Sequence, residues 1–254
     1  MPVVLSPVTI NNYGGTCNYT IPPWLQPFTD PAKRTRPAAR ALRDLQGVLS
    51  YEDGVHRPYI HLVDGGVSDN LGMRGVLDSL EIVEALRAAH QPTPFDQVRR
   101  VIVFVVNSLS SPRTGWDESE RAPGNLTILR KATGVPIDHY SYEATELLKD
   151  VAARWQTMRR LRDSATFAGS ADPAVADALN VPDAKIYSIN VSFAQLEDKA
   201  ELAYLNELPT SFDLPDEAVD RLRAAAGTII LSSPEFQRLL KDAQATILRE
   251  GPQR

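Results

Sequence analysis

The residues best suited to chemistry lie in one short run, Leu62-Val-Asp-Gly-Gly-Val-Ser-Asp-Asn-Leu-Gly72. A carboxylate such as Asp64 can orient a nucleophile or take its proton. Gly65 and Gly66 directly after it permit backbone angles and close approach that a Cβ would forbid. Asp69 and Asn70 carry short side-chain oxygens that hold a turn or cap the helix that follows. The same run is also an ordinary Asp-Gly-Gly turn, and local pattern alone leaves both readings open. His56, His61 and Asp64 together offer donors suited to zinc or iron. On an alternating strand, however, His61 and Asp64 point to opposite faces, and His56 sits in a Gly/Pro-flanked turn, so no metal site is expected. Cys17 has neither a base nor a cation beside it to lower its pKa; it reads as a small, partly buried residue.

Asp64 needs a strand before it and a helix after it. Pro58–Asp64 reads as a short strand stopped by the two glycines. Within 72–89, Val76, Leu77, Leu80, Val83 and Leu86 recur at helical spacing. Val101–Val106 is apolar on both faces, as in a buried parallel strand. Strand, turn, helix and buried strand make a βαβ unit, and a carboxylate at the C-terminal end of a strand lies where open α/β sheets bind ligands.

Around that unit the pattern predicts a strand within Val3–Ile10, a turn at Asn11–Gly15 and a helix from Arg36 to Gln46, with Pro37 in its first turn. A polar loop follows from Asn107 to Asn125, where Trp116 and its charged neighbours read as solvated rather than as a lipid-contacting lid. Further helices are predicted at 141–163, 198–207, 215–226 and 234–249, and a strand at 184–193. Pro215 and Pro234 suit first-turn positions, and Ser233 suits a cap. Lys33–Arg36 and Arg159–Arg162 are basic clusters that would favour anionic headgroups, although a solvated helix face explains the second equally well.

Composition narrows the function classes. The chain has 254 residues, with 27 Lys and Arg against 32 Asp and Glu, a net charge of −5. Nucleic-acid binders normally carry a basic surplus, so no nucleic-acid partner is expected. One cysteine excludes an internal disulfide and any multi-cysteine zinc site. The run Val101–Val106 is far shorter than the roughly 18 apolar residues of a membrane span. Met1-Pro-Val-Val-Leu-Ser-Pro carries no visible signal peptide, and the default expectation is a cytoplasmic or peripheral membrane protein. Three strands and six helices imply α/β layers, with a sheet that is narrow for this length.

Three ordered segments carry a family resemblance. They are Ser6-Pro-Val-Thr-Ile-Asn-Asn-Tyr-Gly-Gly-Thr-Cys17, His61-Leu-Val-Asp-Gly-Gly-Val-Ser-Asp-Asn-Leu-Gly72, and Leu208-Pro-Thr-Ser-Phe-Asp-Leu214 followed by Glu217-Ala-Val-Asp-Arg-Leu222. The chain resembles the C-terminal half of a patatin-like phospholipase domain of the bacterial type. The resemblance implies an incomplete three-layer α/β/α fold, with residues 1–254 forming a single partial domain. It also implies hydrolysis of a lipid or other acyl ester by a Ser-Asp dyad without metal or cofactor, with peripheral membrane contact. Asp64 would be the base, Gly65 and Gly66 its supporting turn, and Asp69 and Asn70 residues that hold that turn.

The chain departs from the family's pattern in one respect that matters. It contains no Gly-x-Ser-x-Gly elbow: Ser68 lacks the second glycine, and Ser170 sits in Ala168-Gly-Ser-Ala-Asp172. The glycine-rich oxyanion motif is absent too. Both lie upstream in the family, so the chain is expected to begin after the nucleophile and to be inactive alone. The favoured reading is a piece of a longer hydrolase. The rival is a truncated, non-catalytic relative that binds lipid or protein. Either way, a half-domain should leave a strand edge and apolar faces bare and be poorly soluble or partly molten.

Overall fold

A computed structural model of the chain describes residues 8–23, 25–29, 39–108, 120, 124–168, 172–209, 211 and 213–248. The Lys33–Arg36 cluster, Pro37, Trp116, Ser170 and the first residues of the predicted N-terminal strand lie outside them. The fold is mixed α/β, with helices and a few strands in small parallel and antiparallel sheets. It divides into two compact units, Met1–Arg99 with Gly124–Lys185, and Arg100–Pro123 with Ile186–Arg254.

In the first unit, β1 (Val8–Asn11) and β2 (Tyr59–Leu62) form an antiparallel ladder in which Val8 faces Leu62 and Asn11 faces Tyr59. The turn after β1 is locked to the segment before β2. Asn12 Nδ2 donates to the carbonyls of Tyr51 at 2.9 Å and Arg57 at 2.8 Å. Gly14 passes so close that a Cβ would lie 1.9 Å from the Tyr51 carbonyl oxygen. A single turn α1 (Gln26–Thr29) precedes α2 (Ala39–Ser50), α3 (Met73–Ala88), the 38-residue α4 (Asn125–Arg162) and α5 (Pro173–Ala178).

The helical spacing of α3 buries Leu77, Leu80, Val83 and Leu86, and α4 contributes Leu148, Val151 and Trp155 to the buried interior. Glu84 of α3 accepts from both the Trp155 indole N–H and the Arg154 guanidinium of α4. The fully buried indole is thereby satisfied, as a buried donor must be. At the C-terminal end of α4, Arg159 donates to the carbonyls of Pro182 and Ala184, and Arg162 pairs with Asp183. The Arg159–Arg162 cluster is therefore a tether between helix and strand entry rather than simply a solvated face.

In the second unit, β3 (Arg100–Asn107) and β4 (Lys185–Ser192) form a parallel pair, followed by α6 (Lys199–Asn206), α7 (Asp216–Ser232) and α8 (Pro234–Ala243). Tyr187, Ile189 and Val191 alternate along β4 and share a core with Leu205, Ile229 and Leu239 from the three helices. Asp198 caps α6, and Ser233 caps α8 by accepting from the Phe236 N–H. The Tyr187 hydroxyl donates to Asp242 at 2.7 Å, beneath the Arg238 guanidinium.

Several expectations change. Among the described residues β2 and β3 belong to different sheets, so the expected βαβ pairing does not form; the ladder partner of β2 is β1. β3 is not buried on both faces, because Val105 is covered while Ile102, Phe104 and Val106 are exposed. α4 starts at Asn125, well before 141, and α2 is displaced to Ala39–Ser50, so Gly47 lies inside it. α7 runs on to Ser232 with Pro215 at its cap position, α8 ends at Ala243, and α5 is an added element.

Candidate functional site

Beyond the end of β2 the chain reaches Asp64, which caps a 3-10 turn over Gly65–Val67. Asp64 Oδ1 accepts the Gly66 N–H at 2.7 Å, and the Gly65 carbonyl accepts from Ser68 and Asp69. A Cβ on Gly66 would lie 2.9 Å from Asn70 Oδ1 and 3.0 Å from Asp64 Oδ1. Gly66 therefore lets the Asp64 and Asn70 side chains close over the backbone, whereas a Cβ on Gly65 would meet nothing within 4 Å.

Asp69 has a different task. Its Oδ1 accepts the Met73 N–H at 3.0 Å and its Oδ2 the Arg74 N–H at 2.9 Å, so one carboxylate satisfies two free donors at the start of α3. Of the two residues the sequence offers as the cap, Asp69 supplies it. Gly72 turns the chain into the helix with φ +66°, a left-handed conformation open to glycine. The result is an exposed Asp64 carboxylate with one oxygen held by an amide and the other without a protein partner among the described residues. Chemically that is an oriented hydrogen-bond acceptor.

The histidines are engaged elsewhere. His61 Nδ1 lies 2.9 Å from Thr9 Oγ1, its partner across the β1–β2 ladder. His56 pairs with Asp53, whose carboxyl is held below its ordinary value, first by the His56 backbone N–H and then by the imidazole. Among the described residues no three His, Cys, Asp or Glu side chains gather where they could hold a metal ion. Cys17 is exposed, not partly buried, because the 12–17 turn lies on the surface.

Comparison with protein-family models, curated proteins and solved structures gives no significant match. The site stands on its own geometry.

That geometry includes a cleft that the sequence did not announce. It measures about 590 Å³ and is bounded by α2, the Ser68–Asp69 turn, α3 and α4. Arg40, Arg43 and Asp44 line it from α2, Arg74 and Asp78 from α3, and Tyr140 with the acidic Glu143, Glu146 and Asp150 from α4. The Arg74 guanidinium lies 5.7 Å from the centre of the Tyr140 ring. Asp78 is raised above its ordinary value, mainly by partial burial and next by the Asp44 charge, against the opposing pull of Arg40 and Arg74. No motif marks these residues. The only local signal is the four-residue spacing of Arg40 with Asp44 and Arg74 with Asp78, which any solvated helix also shows.

Proposed function

We propose that this chain supplies the acid–base half of a lipid acyl hydrolase of patatin-like type, within an incomplete three-layer α/β/α domain. Asp64 is the general base, and the serine and the oxyanion donors come from outside these 254 residues. The observation that carries the reading is the Asp64 carboxylate itself, with Oδ1 fixed by the Gly66 N–H and the second oxygen open. A serine hydroxyl is a weak nucleophile until its proton has an acceptor.

In the proposed reaction the serine Oγ attacks the ester carbonyl while its proton passes to Asp64. Collapse of the tetrahedral adduct breaks the acyl–oxygen bond, and Asp64 returns the proton to the departing alcohol. Water then attacks the acyl-serine through the same base, releasing the fatty acid and restoring the serine. No redox or cofactor step enters. The substrate is a phospholipid or another acyl ester presented at a lipid surface.

The test is the protein from its native source, treated with a serine-directed fluorophosphonate and weighed intact. A labelled species heavier than 28.0 kDa, with a Gly-x-Ser-x-Gly peptide carrying the label, is expected. In that species Asp64→Asn should lower ester turnover by about 10²–10⁴-fold while leaving the melting curve unchanged. An unlabelled 28.0 kDa protein or undiminished turnover in Asp64→Asn overturns the proposal. The first of these results points to a non-catalytic relative that binds lipid or protein.

A further inference from the structure

Helices α6, α7 and α8 cover β4 and leave β3 largely bare. On the covered face Tyr187, Ile189 and Val191 are buried with Leu205, Ile229 and Leu239, whereas Ile102, Phe104 and Val106 of the neighbouring strand are exposed. The Phe104 ring lies 6.4 Å from that of Phe236, which packs on the rim of this core. The exposed stripe is therefore the unfinished end of one apolar layer. β3 is also a sheet edge, since among the described residues its ladder partner is β4 alone. We propose that a second copy of the chain occupies this edge, with the two β3 strands pairing antiparallel across a two-fold axis at Phe104. Two sheets of two strands then join into one of four. The inference goes beyond the hydrolase reading and draws nothing from Asp64.

The stripe is self-complementary in one register, as a two-fold interface requires. Centring an antiparallel pair on Phe104 sets it opposite the partner's Phe104 and sets Ile102 opposite the partner's Val106. Each exposed apolar side chain thus meets another, and such directly opposed pairs stabilise a sheet. Sliding one strand by two residues sets Val106 against the partner's Arg100, or Ile102 against the partner's Ser108. Sliding it by one turns the stripe to the opposite face. Charge favours the antiparallel arrangement. Arg100 Nη2 donates to the Asp242 carbonyl at 3.0 Å, while Phe104 meets Phe236, so α8 runs antiparallel to β3. Its basic last turn, with Lys241, lies at the Arg100 end of the strand, and its acidic first turn, with Glu235, at the other. The two-fold brings the Arg100 and Lys241 end of one copy toward the Glu235 end of its partner. Lys241 is exposed and has no ion pair among the described residues. Glu235 pairs with Arg238 of its own chain and, as a carboxylate, can accept from a second cation. Parallel pairing would instead set Arg100 beside the partner's Arg100, a destabilising contact. The antiparallel ladder also satisfies the N–H and C=O groups that β3 turns away from β4.

The experiment uses the purified 254-residue chain, with the exposed Cys17 replaced by Cys17→Ser for the linking steps. Sedimentation equilibrium at micromolar concentration should give twice 28.0 kDa. Under mild oxidation Phe104→Cys should form a linked dimer, because directly opposed antiparallel residues have Cα atoms about 4.5–5.5 Å apart, within disulfide reach. Ile102→Cys and Val106→Cys should each stay unlinked alone and link to one another when mixed. A charge pair reads the same register without truncating Phe104. Ile102→Lys alone and Val106→Asp alone should weaken the dimer by about tenfold or more. Combined in one chain they should recover it, because the introduced charges then face each other at both ends. These side chains are exposed, so the melt of each variant should keep its cooperativity. A 28.0 kDa species at that concentration overturns the proposal. So does linking of Ile102→Cys to itself as readily as to Val106→Cys, or a charge pair that associates no better than its single variants. If the native protein is longer and its Phe104→Cys stays unlinked, other residues of that chain cover the stripe, which also overturns it. Ester turnover is not read, so the role of Asp64 stands or falls separately.

Discussion

Gly65 and Gly66 read alike in the sequence and differ in the fold. A methyl group on Gly65 enters open space, while one on Gly66 meets the Asn70 and Asp64 side-chain oxygens at 2.9 and 3.0 Å. Gly65→Ala should therefore be near neutral, or slightly stabilising through the unfolded chain. Gly66→Ala should push the exposed Asp64 and Asn70 side chains aside at little cost in stability, and so displace the carboxylate. Ester turnover of the labelled hydrolase should fall in Gly66→Ala and hold in Gly65→Ala, and equal turnover would remove the special role of Gly66. Asp78 gives a pH signature at the same scale. Its folded value is raised, so its contribution favours the folded state below the ordinary value of 3.8 and is lost as pH rises through the folded value. The groups that set this are Asp44 and Asp69, which raise it with burial, and Arg40 and Arg74, which lower it. Asp78→Asn should accordingly melt higher than the wild type at neutral pH, with the advantage vanishing in acid. A gain that grows toward acid would contradict the assigned cause.

Helix α3 connects the Asp64 turn to the interior, and its first two N–H groups depend on Asp69. Asp69→Ala should destabilise the protein by about 1 kcal/mol, the usual cost of a lost N-terminal cap, read as a lower urea midpoint with an unchanged slope. An unaltered midpoint would mean that water replaces the carboxylate without penalty. Elements of this kind were legible in the sequence because their signals are local. The apolar spacing of α3, the Asp198 and Ser233 caps, and the alternation of Tyr187, Ile189 and Val191 each repeat within a few residues. Strand partners were not legible, since pairing β2 with β1 joins residues some fifty positions apart, and the uniformly apolar β3 does not say which face is covered. The early start of α4 was hidden by Gly134 and Pro136, both poor interior helix residues. The short α5 was missed although Asp172-Pro173 is a ready cap and first turn. Asp64 and Asp69 could be found as a motif, whereas the cleft could not, because its charges come from three helices and meet only after folding.

At the scale of the whole molecule the unusual quantity is apolar surface on strands. In the first unit Val8 of β1 and Tyr59 of β2 are each 60% exposed. In the second, Ile102, Phe104 and Val106 occupy alternate positions of β3 and are 44%, 46% and 65% exposed. Alternate positions share one face of a strand, so these three form a continuous apolar stripe beside Phe236 of α8, whose ring centre lies 6.4 Å from that of Phe104. Stripes of this kind on short sheets favour pairing with another chain, and a net charge of −5 spread over 254 residues opposes it only weakly. The purified 254-residue chain should therefore self-associate and bind a hydrophobic dye. Ile102→Lys with Val106→Lys should restore a monomer while leaving the cooperative part of the melt in place. Both side chains already face water, so charging them removes little burial, in contrast to the buried Val105 between them. Light scattering with dye binding decides the matter. A monodisperse, dye-negative wild-type chain with a cooperative melt would show that the exposed strands do not drive association, and the doubly charged variant would then behave as the wild type does.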